Sequence, residues 1–333
     1  MLIQPEPDET LDSCFSRNII FSGRGNTSDF YKKVGFAPSN GDWTLHKLRT
    51  LSQFLGWDGL QGFRRLLIGH TGYVPSTWIE YEKFNKSAEW LYEIRNYSQI
   101  NEFLRGSRNN LCPECVKEDS SRLGFSYWRK SHQFFDVCVC HIHNTKLIDA
   151  CPVCESPFST EYLFIGIPWD RCKCGISAYQ YDSEPNSDIF LLKCAQFVFD
   201  LYSSIYQFEW NSILERYWIR LNEIGIELKT EDDIRRAVGF ISLAMGQEAS
   251  RYPHIELCLQ QVLNQHFNKG CFNLPISHHV GFMVVLFSSY SEFLHSLDTD
   301  GLNKLGVVRS CLIDTRRAQS APENPKQSRP LVD

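Results

Sequence analysis

The sequence predicts a mainly α-helical chain, interrupted near its middle by small β elements of the ribbon type. Three observations carry this. Eight of the thirteen cysteines fall between residues 112 and 174, most of them in closely spaced pairs. On either side, apolar residues recur at helical spacing between glycine stops and polar caps. A chain of 333 residues that is 43% hydrophobic and 14% aromatic can form two or three domains, and that composition excludes wholesale disorder. The expected organisation is an N-terminal helical region over 1–110 with a helix-turn-helix-like pair and a tandem ribbon module over 111–181. A C-terminal helical domain over 182–313 and a disordered tail over 314–333, rich in Pro, Ser and Gln, complete it.

In the N-terminal third, Leu11, Cys14, Phe15, Ile19 and Ile20 mark one helix over 9–21, broken by Gly23 and Gly25. Thr44 is placed to cap a second helix that turns Leu45, Leu48, Leu51 and Leu55 inward and stops at Gly56. After the turn Gly56-Trp57-Asp58, Asp58 is placed to cap a third helix carrying Leu60, Phe63 and Leu67, closed by Gly69. Two short helices around a three-residue turn suit a helix-turn-helix, and equally an ordinary αα-hairpin. Arg64 and Arg65 on the second of the pair suit phosphate contacts or a solvated face.

The middle of the chain holds four two-ligand knuckles: Cys112-x-x-Cys115, Cys140-x-x-His143, Cys151-x-x-Cys154 and Cys172-x-Cys174. A short gap lets one tight turn aim two donors at one ion, and zinc favours four N or S ligands, so the set suits two tetrahedral zinc ions. The fold class is therefore mainly α with small zinc-ribbon β elements. Pairing in chain order closes a 24-residue excursion for the first ion and a 17-residue one for the second; an interleaved cross-brace is the alternative. Disulfides would need an oxidising compartment, and the acidic N-terminus has neither the basic nor the apolar stretch of a secretory signal. A thioredoxin-type dithiol would sit near a βαβ pattern, and an iron–sulfur cluster would usually be all-cysteine. Cys138 alternates with Cys140 and is expected in the core, as are Cys14, Cys194, Cys258, Cys271 and Cys311. Phe125, Tyr127, Trp128, Phe134 and Phe135 are expected to fill the small modules rather than stack on bases. Arg129 and Lys130 read as surface cations, serving solubility or touching nucleic acid.

Residues 182–188 form a polar linker, after which helices are expected over 189–206, 210–224, 230–246, 255–267 and 279–294. Thr230 to Asp233 is a capping-box start, leading to Ile234, Ala237, Val238, Ile241 and Leu243 on the apolar side. His278 and His279 follow Pro275 and are expected to start or staple a helix. The longest apolar runs, such as 282–287, are far short of the roughly 20 residues that span a bilayer.

The residues Leu111-Cys112-Pro113-Glu114-Cys115, Tyr127-Trp128-Arg129-Lys130, Val139-Cys140-His141-Ile142-His143, Leu147 and Cys151-Pro152-Val153-Cys154 together resemble the signature of the TniQ/TnsD family of bacterial transposition targeting proteins. Cys172-Lys173-Cys174-Gly175 fits the same pattern. Weaker echoes lie in the opening stretch from Pro5 to Phe15 and in the proline–histidine element from Leu274 to His279. The resemblance implies a cytoplasmic adaptor that links a target-recognition complex, CRISPR Cascade with its guide RNA, to the AAA+ ATPase regulator TnsC and so to the transposase. It also implies a homodimer. The alternative is a TnsD-like, zinc-dependent protein that reads a specific attachment site in target DNA directly. The net charge of −5 leans toward the adaptor, because free-standing DNA binders usually carry a basic surplus. No catalytic motif stands out: the phosphate loop, G-x-G-x-x-G, H-E-x-x-H, G-x-S-x-G and the deaminase combination of H-x-E with P-C-x-x-C are all missing, so no enzyme activity is expected.

Overall fold

The computed structural model describes residues 3–21, 32, 45–71, 109–134, 137–158, 168, 171–204, 210–267 and 277–297. Among them it is mainly helical. The helices are α1 (Leu11–Phe21), α2 (Leu45–Phe54), α3 (Gly59–His70), α4 (Pro113–Leu123), α5 (Ile189–Ser203), α6 (Trp210–Glu223), α7 (Glu231–Met245), α8 (Ile255–His266), α9 (Ser277–Phe287) and α10 (Tyr290–Leu297). Among the described residues, β structure is confined to isolated antiparallel bridges flanking the middle knuckles and tying in neighbouring segments. No single described helix is long and apolar enough to cross a membrane.

Helices α1, α2 and α3 share one core of Leu11, Phe15, Ile19, Leu48, Leu51, Leu55, Phe63, Leu66 and Leu67. Thr10 caps α1 by accepting the Ser13 amide at 3.2 Å. The turn between α2 and α3 is tight: a Cβ on Gly62 would lie 2.2 Å from the Trp57 carbonyl oxygen, so only glycine fits there. Asp58 does occupy the position before α3, but its side chain makes no cap bond, and α3 runs past Gly69 to His70. Ile20, expected on the inner face of α1, is exposed. Thr44, Gly23 and Gly25 lie outside the described residues, as do the side chains of Leu60 and Arg64.

The C-terminal helices build the larger core. Thr230 and Asp233 form the reciprocal capping box that starts α7, and Asp188 caps α5 by accepting the Phe190 and Leu191 amides. Three expectations change here. The last expected helix is two helices, α9 and α10, bent by 81° at the break, where Ser288 takes a left-handed φ of 52°. Leu243 faces outward, 81% exposed, because Ile241 and Met245 take the inner face of α7. Residues 246–251 form a 3₁₀ segment that the periodicity does not reveal.

The middle segment is stitched to both flanks. The Thr10 amide donates to the Trp128 carbonyl at 2.9 Å, and the Trp128 amide donates to Ser13 Oγ at 3.1 Å. Phe134, Val137 and Val139 belong to the C-terminal core rather than to the small modules. Residues 182–188, expected as a linker, pair with the middle segment through the Thr145–Pro185 bridge and a Lys146–Glu184 ion pair. Arg129 and Lys130 are not surface cations. Arg129 bonds the buried Asp119 at 2.8 Å, and the Lys130 ammonium is buried between the carbonyls of Ile68 (2.6 Å) and Tyr202 (3.2 Å). Those carbonyls sit in the last turns of α3 and α5, where helix carbonyls have no internal partner.

Candidate metal centres

Each knuckle is a local solution to aiming two donors inward. The first differs from the expected ribbon turn: Cys112 is the N-cap of α4, with Pro113 at the first helical position and Cys115 in the first turn. The free amides and dipole of a helix N-terminus favour thiolates there. The other three are hairpin knuckles of one pattern. Cys140 receives the Asn144 amide at 3.0 Å on its carbonyl, and its own amide donates to Thr145 at 2.8 Å. Cys151 repeats this with Glu155 at 2.8 Å and Ser156 at 2.9 Å, and Cys172 with Gly175 at 2.7 Å and Ile176 at 2.8 Å. The turn closes through a left-handed residue each time: Asn144 (φ 52°), Glu155 (φ 57°) and Gly175 (φ 89°). Asparagine and glycine announce that conformation in the sequence; glutamate does not.

The tertiary fold brings these knuckles together in chain order, not interleaved. Cys112, Cys115, Cys140 and His143 form one cluster, and Cys151, Cys154, Cys172 and Cys174 the other, each with its donor atoms within 4.8 Å of one another. In the first, Cys115 Sγ and Cys140 Sγ are 3.7 Å apart, and His143 Nδ1 lies 3.6, 3.3 and 3.6 Å from the sulfurs of Cys112, Cys115 and Cys140. Zinc–ligand bond lengths give tetrahedral edges of about 3.8 Å between sulfurs and about 3.6 Å from sulfur to nitrogen. In the second, Cys151 and Cys174 are 3.7 Å apart and Cys154 and Cys172 are 3.3 Å apart. Both sets could hold a metal ion and are consistent with zinc.

The two centres differ in surroundings. Cys112, Cys115 and Cys140 are buried, whereas Cys154 and Cys174 are exposed and only Cys151 of the second set is buried. Around the first, Thr145 Oγ1 lies 3.2 Å from Cys112 Sγ, and Glu118 Oε1 lies 3.0 Å from His143 Nε2. Hydrogen bonding from Cys115 and Cys140 holds the Cys112 thiol well below its ordinary range, while Cys115, which shares its proton with Cys112 and Cys140, is pushed far up. Burial works against a charge on His143, but the hydrogen bond to Glu118 and the Cys112 sulfur outweigh it and raise its pKa. In the second centre, burial opposes ionisation of Cys151, yet the Tyr181 hydroxyl and the Cys154 and Val153 amides bring its thiol down to about 6.

Between the centres, Trp128 packs with Leu111, Val116, Cys151, Ala178 and Tyr181. Tyr127 is also buried, Phe125 is half-buried against the edge of Phe21, and Phe135 lies outside the described residues. Cys138 is in neither cluster. It is half-buried rather than in the core, with Arg251 Nη1 2.6 Å from its sulfur. Cys14, Cys194 and Cys258 are buried as expected; Cys271 and Cys311 lie outside the described residues. His279 is buried at the start of α9, stacked on Tyr217. The sequence reading missed Glu118 and Thr145. Glu118 carries a signal, because it continues the three-residue spacing of Cys112 and Cys115 along α4.

A family model described as TniQ matches residues 1–147. Residues 1–147 therefore carry a TniQ domain, which covers somewhat less than half of the chain. The TniQ match includes α1 to α4 and all four donors of the first centre, and ends before Cys151, so the second centre lies beyond it. No curated protein matches the chain.

Proposed function

We propose that this chain is a non-enzymatic adaptor for transposon target selection. The TniQ domain over residues 1–147 carries the reading, because that family implies a transposition-associated targeting role. In this role the chain connects Cascade and its guide RNA to the AAA+ ATPase TnsC, which recruits the transposase, and it acts in the cytoplasm as a homodimer. In this reading each cluster takes one zinc ion, closed by its four protein donors. A closed site leaves no open position for a substrate, so the metal's work is structural and no hydrolysis is assigned to the chain. The net charge of −5 favours protein partners over bare DNA.

One observation favours a second reading, a TnsD-like protein that binds an attachment site directly. Arg65 on the second helix of a helix-turn-helix-like pair is exposed and held with its guanidinium 4.3 Å from the Trp57 ring centroid, pre-ordered for a phosphate. Pull-down of the zinc-loaded chain with TnsC and Cascade, beside duplex binding across a salt series, separates the two. The adaptor captures its protein partners and holds duplex weakly. A specific duplex held at about 10⁻⁸ M or tighter with a steep salt slope, and no partner capture, establishes the direct reader instead.

A further inference from the structure

We propose that Glu118 is a positioning residue for the first metal centre, fixing His143 as a ligand through Nδ1; this rests on the metal reading above. A histidine that gives one ring nitrogen to an ion must place the other, and that second partner sets the tautomer and the basicity of the first. Here Nδ1 faces the three sulfurs at 3.3 to 3.6 Å, and Nε2 points the other way, 3.0 Å from Glu118 Oε1. Helical geometry puts the carboxylate there. Cys112 is the N-cap of α4, and Cys115 and Glu118 follow at intervals of three, so ligand and partner share one helix face.

Glu118 is an exposed side chain, and a chance contact has to be set against the arrangement around it. The neighbouring cations already have their own carboxylates. Lys117 pairs with Glu114 at 2.9 Å, and Arg122 and Arg129 pair with Asp119 at 3.6 and 2.8 Å. Among the described residues, the one ion-pair partner of Glu118 is the histidine. With the carboxylate accepting the Nε2 hydrogen, the Nδ1 lone pair is held toward the cluster before any ion arrives. Bound metal is then gripped by a more basic imidazole.

The test uses the full-length chain, zinc, and a competing chelator, with Glu118→Ala, Glu118→Gln and a control, Glu114→Ala, on the same helix. Outer-shell changes of this kind cost about 10–100-fold in metal affinity. Glu118→Ala is expected to weaken the first centre by that factor and leave the second unchanged. Glu118→Gln still accepts from Nε2 and should recover most of the affinity, and Glu114→Ala should have no effect. The His143 Nε2 proton, followed by ¹⁵N-edited NMR, should exchange slowly in the parent and in Glu118→Gln and rapidly in Glu118→Ala. Affinity for Glu118→Ala within about twofold of the parent, against that 10–100-fold expectation, with Nε2 proton exchange unchanged, would overturn the proposal while leaving the metal reading intact. A parent chain with no zinc at this cluster would overturn both.

Discussion

Replacing Lys130 with methionine should loosen the hold of the N-terminal helices on the C-terminal ones. The ammonium sits where the negative ends of α3 and α5 converge, donating to the Ile68 and Tyr202 carbonyls. Methionine fills a similar volume but leaves two buried acceptors unmet, at about 1–3 kcal/mol each. Loss of a cation at two partly buried helix C-termini adds about 1–2 kcal/mol per helix. Against this stands relief from burying a charge: burial lowers the lysine from 10.5 to about 8, with Asp8 opposing the drop, a cost of about 3 kcal/mol to the folded ammonium at neutral pH. The balance is a net destabilisation of about 3 kcal/mol at pH 7, read by urea unfolding of the zinc-loaded chain through tryptophan fluorescence. The pH dependence has a definite sign. Between about 8 and 10.5 the unfolded chain holds this proton and the folded chain has released it, so the lysine protein gains stability as pH rises. Its advantage over Lys130→Met should therefore widen by about 1 kcal/mol from pH 7 to pH 9. A methionine variant within about 0.5 kcal/mol of the parent at pH 7, the range of ordinary surface changes, would refute the capping account. So would an advantage that narrows as pH rises.

Further outcomes follow from the same structure. Elemental analysis should give two zinc ions per chain, falling to one in Cys112→Ser or Cys154→Ser and staying at two in Cys138→Ser, which lies outside both clusters. A chelator time course should strip the exposed four-cysteine centre about tenfold faster than the buried one, since solvent access governs exchange; simultaneous loss would count against this. Arg17→Met should cost about 3–5 kcal/mol, because it strands Glu9, a fully buried carboxylate paired to Arg17 at 2.6 Å. Gly62→Ala should cost about 1–3 kcal/mol in thermal or urea unfolding by driving a Cβ into the Trp57 carbonyl.

The sequence alone determined the features written within one or two turns of chain. Donor spacing marks the four knuckles because each is a local turn, and the excursions between them made chain-order pairing the simpler choice. Most helix spans outside the middle segment were legible from apolar periodicity, though not α4 or the break between α9 and α10, and the α7 cap was legible from Thr230 and Asp233, because both signals are set by bonds three or four residues long. What only the tertiary structure decided are pairings between segments far apart. Arg129 and Lys130 look like surface cations in a linear string, but their partners are Asp119 and the ends of helices centred some 65 residues before and after them. Phe134 looks like filler for a small module, yet it packs in the C-terminal core. Residues 182–188 look like a spacer because they are polar, yet Ser183 and Asn186 hydrogen-bond to Glu114 and Asn144, neighbours in sequence of the first centre's donors. A charged or polar side chain carries no mark of whether water or a distant backbone will satisfy it. That choice is made by burial, and burial is a property of the assembled fold.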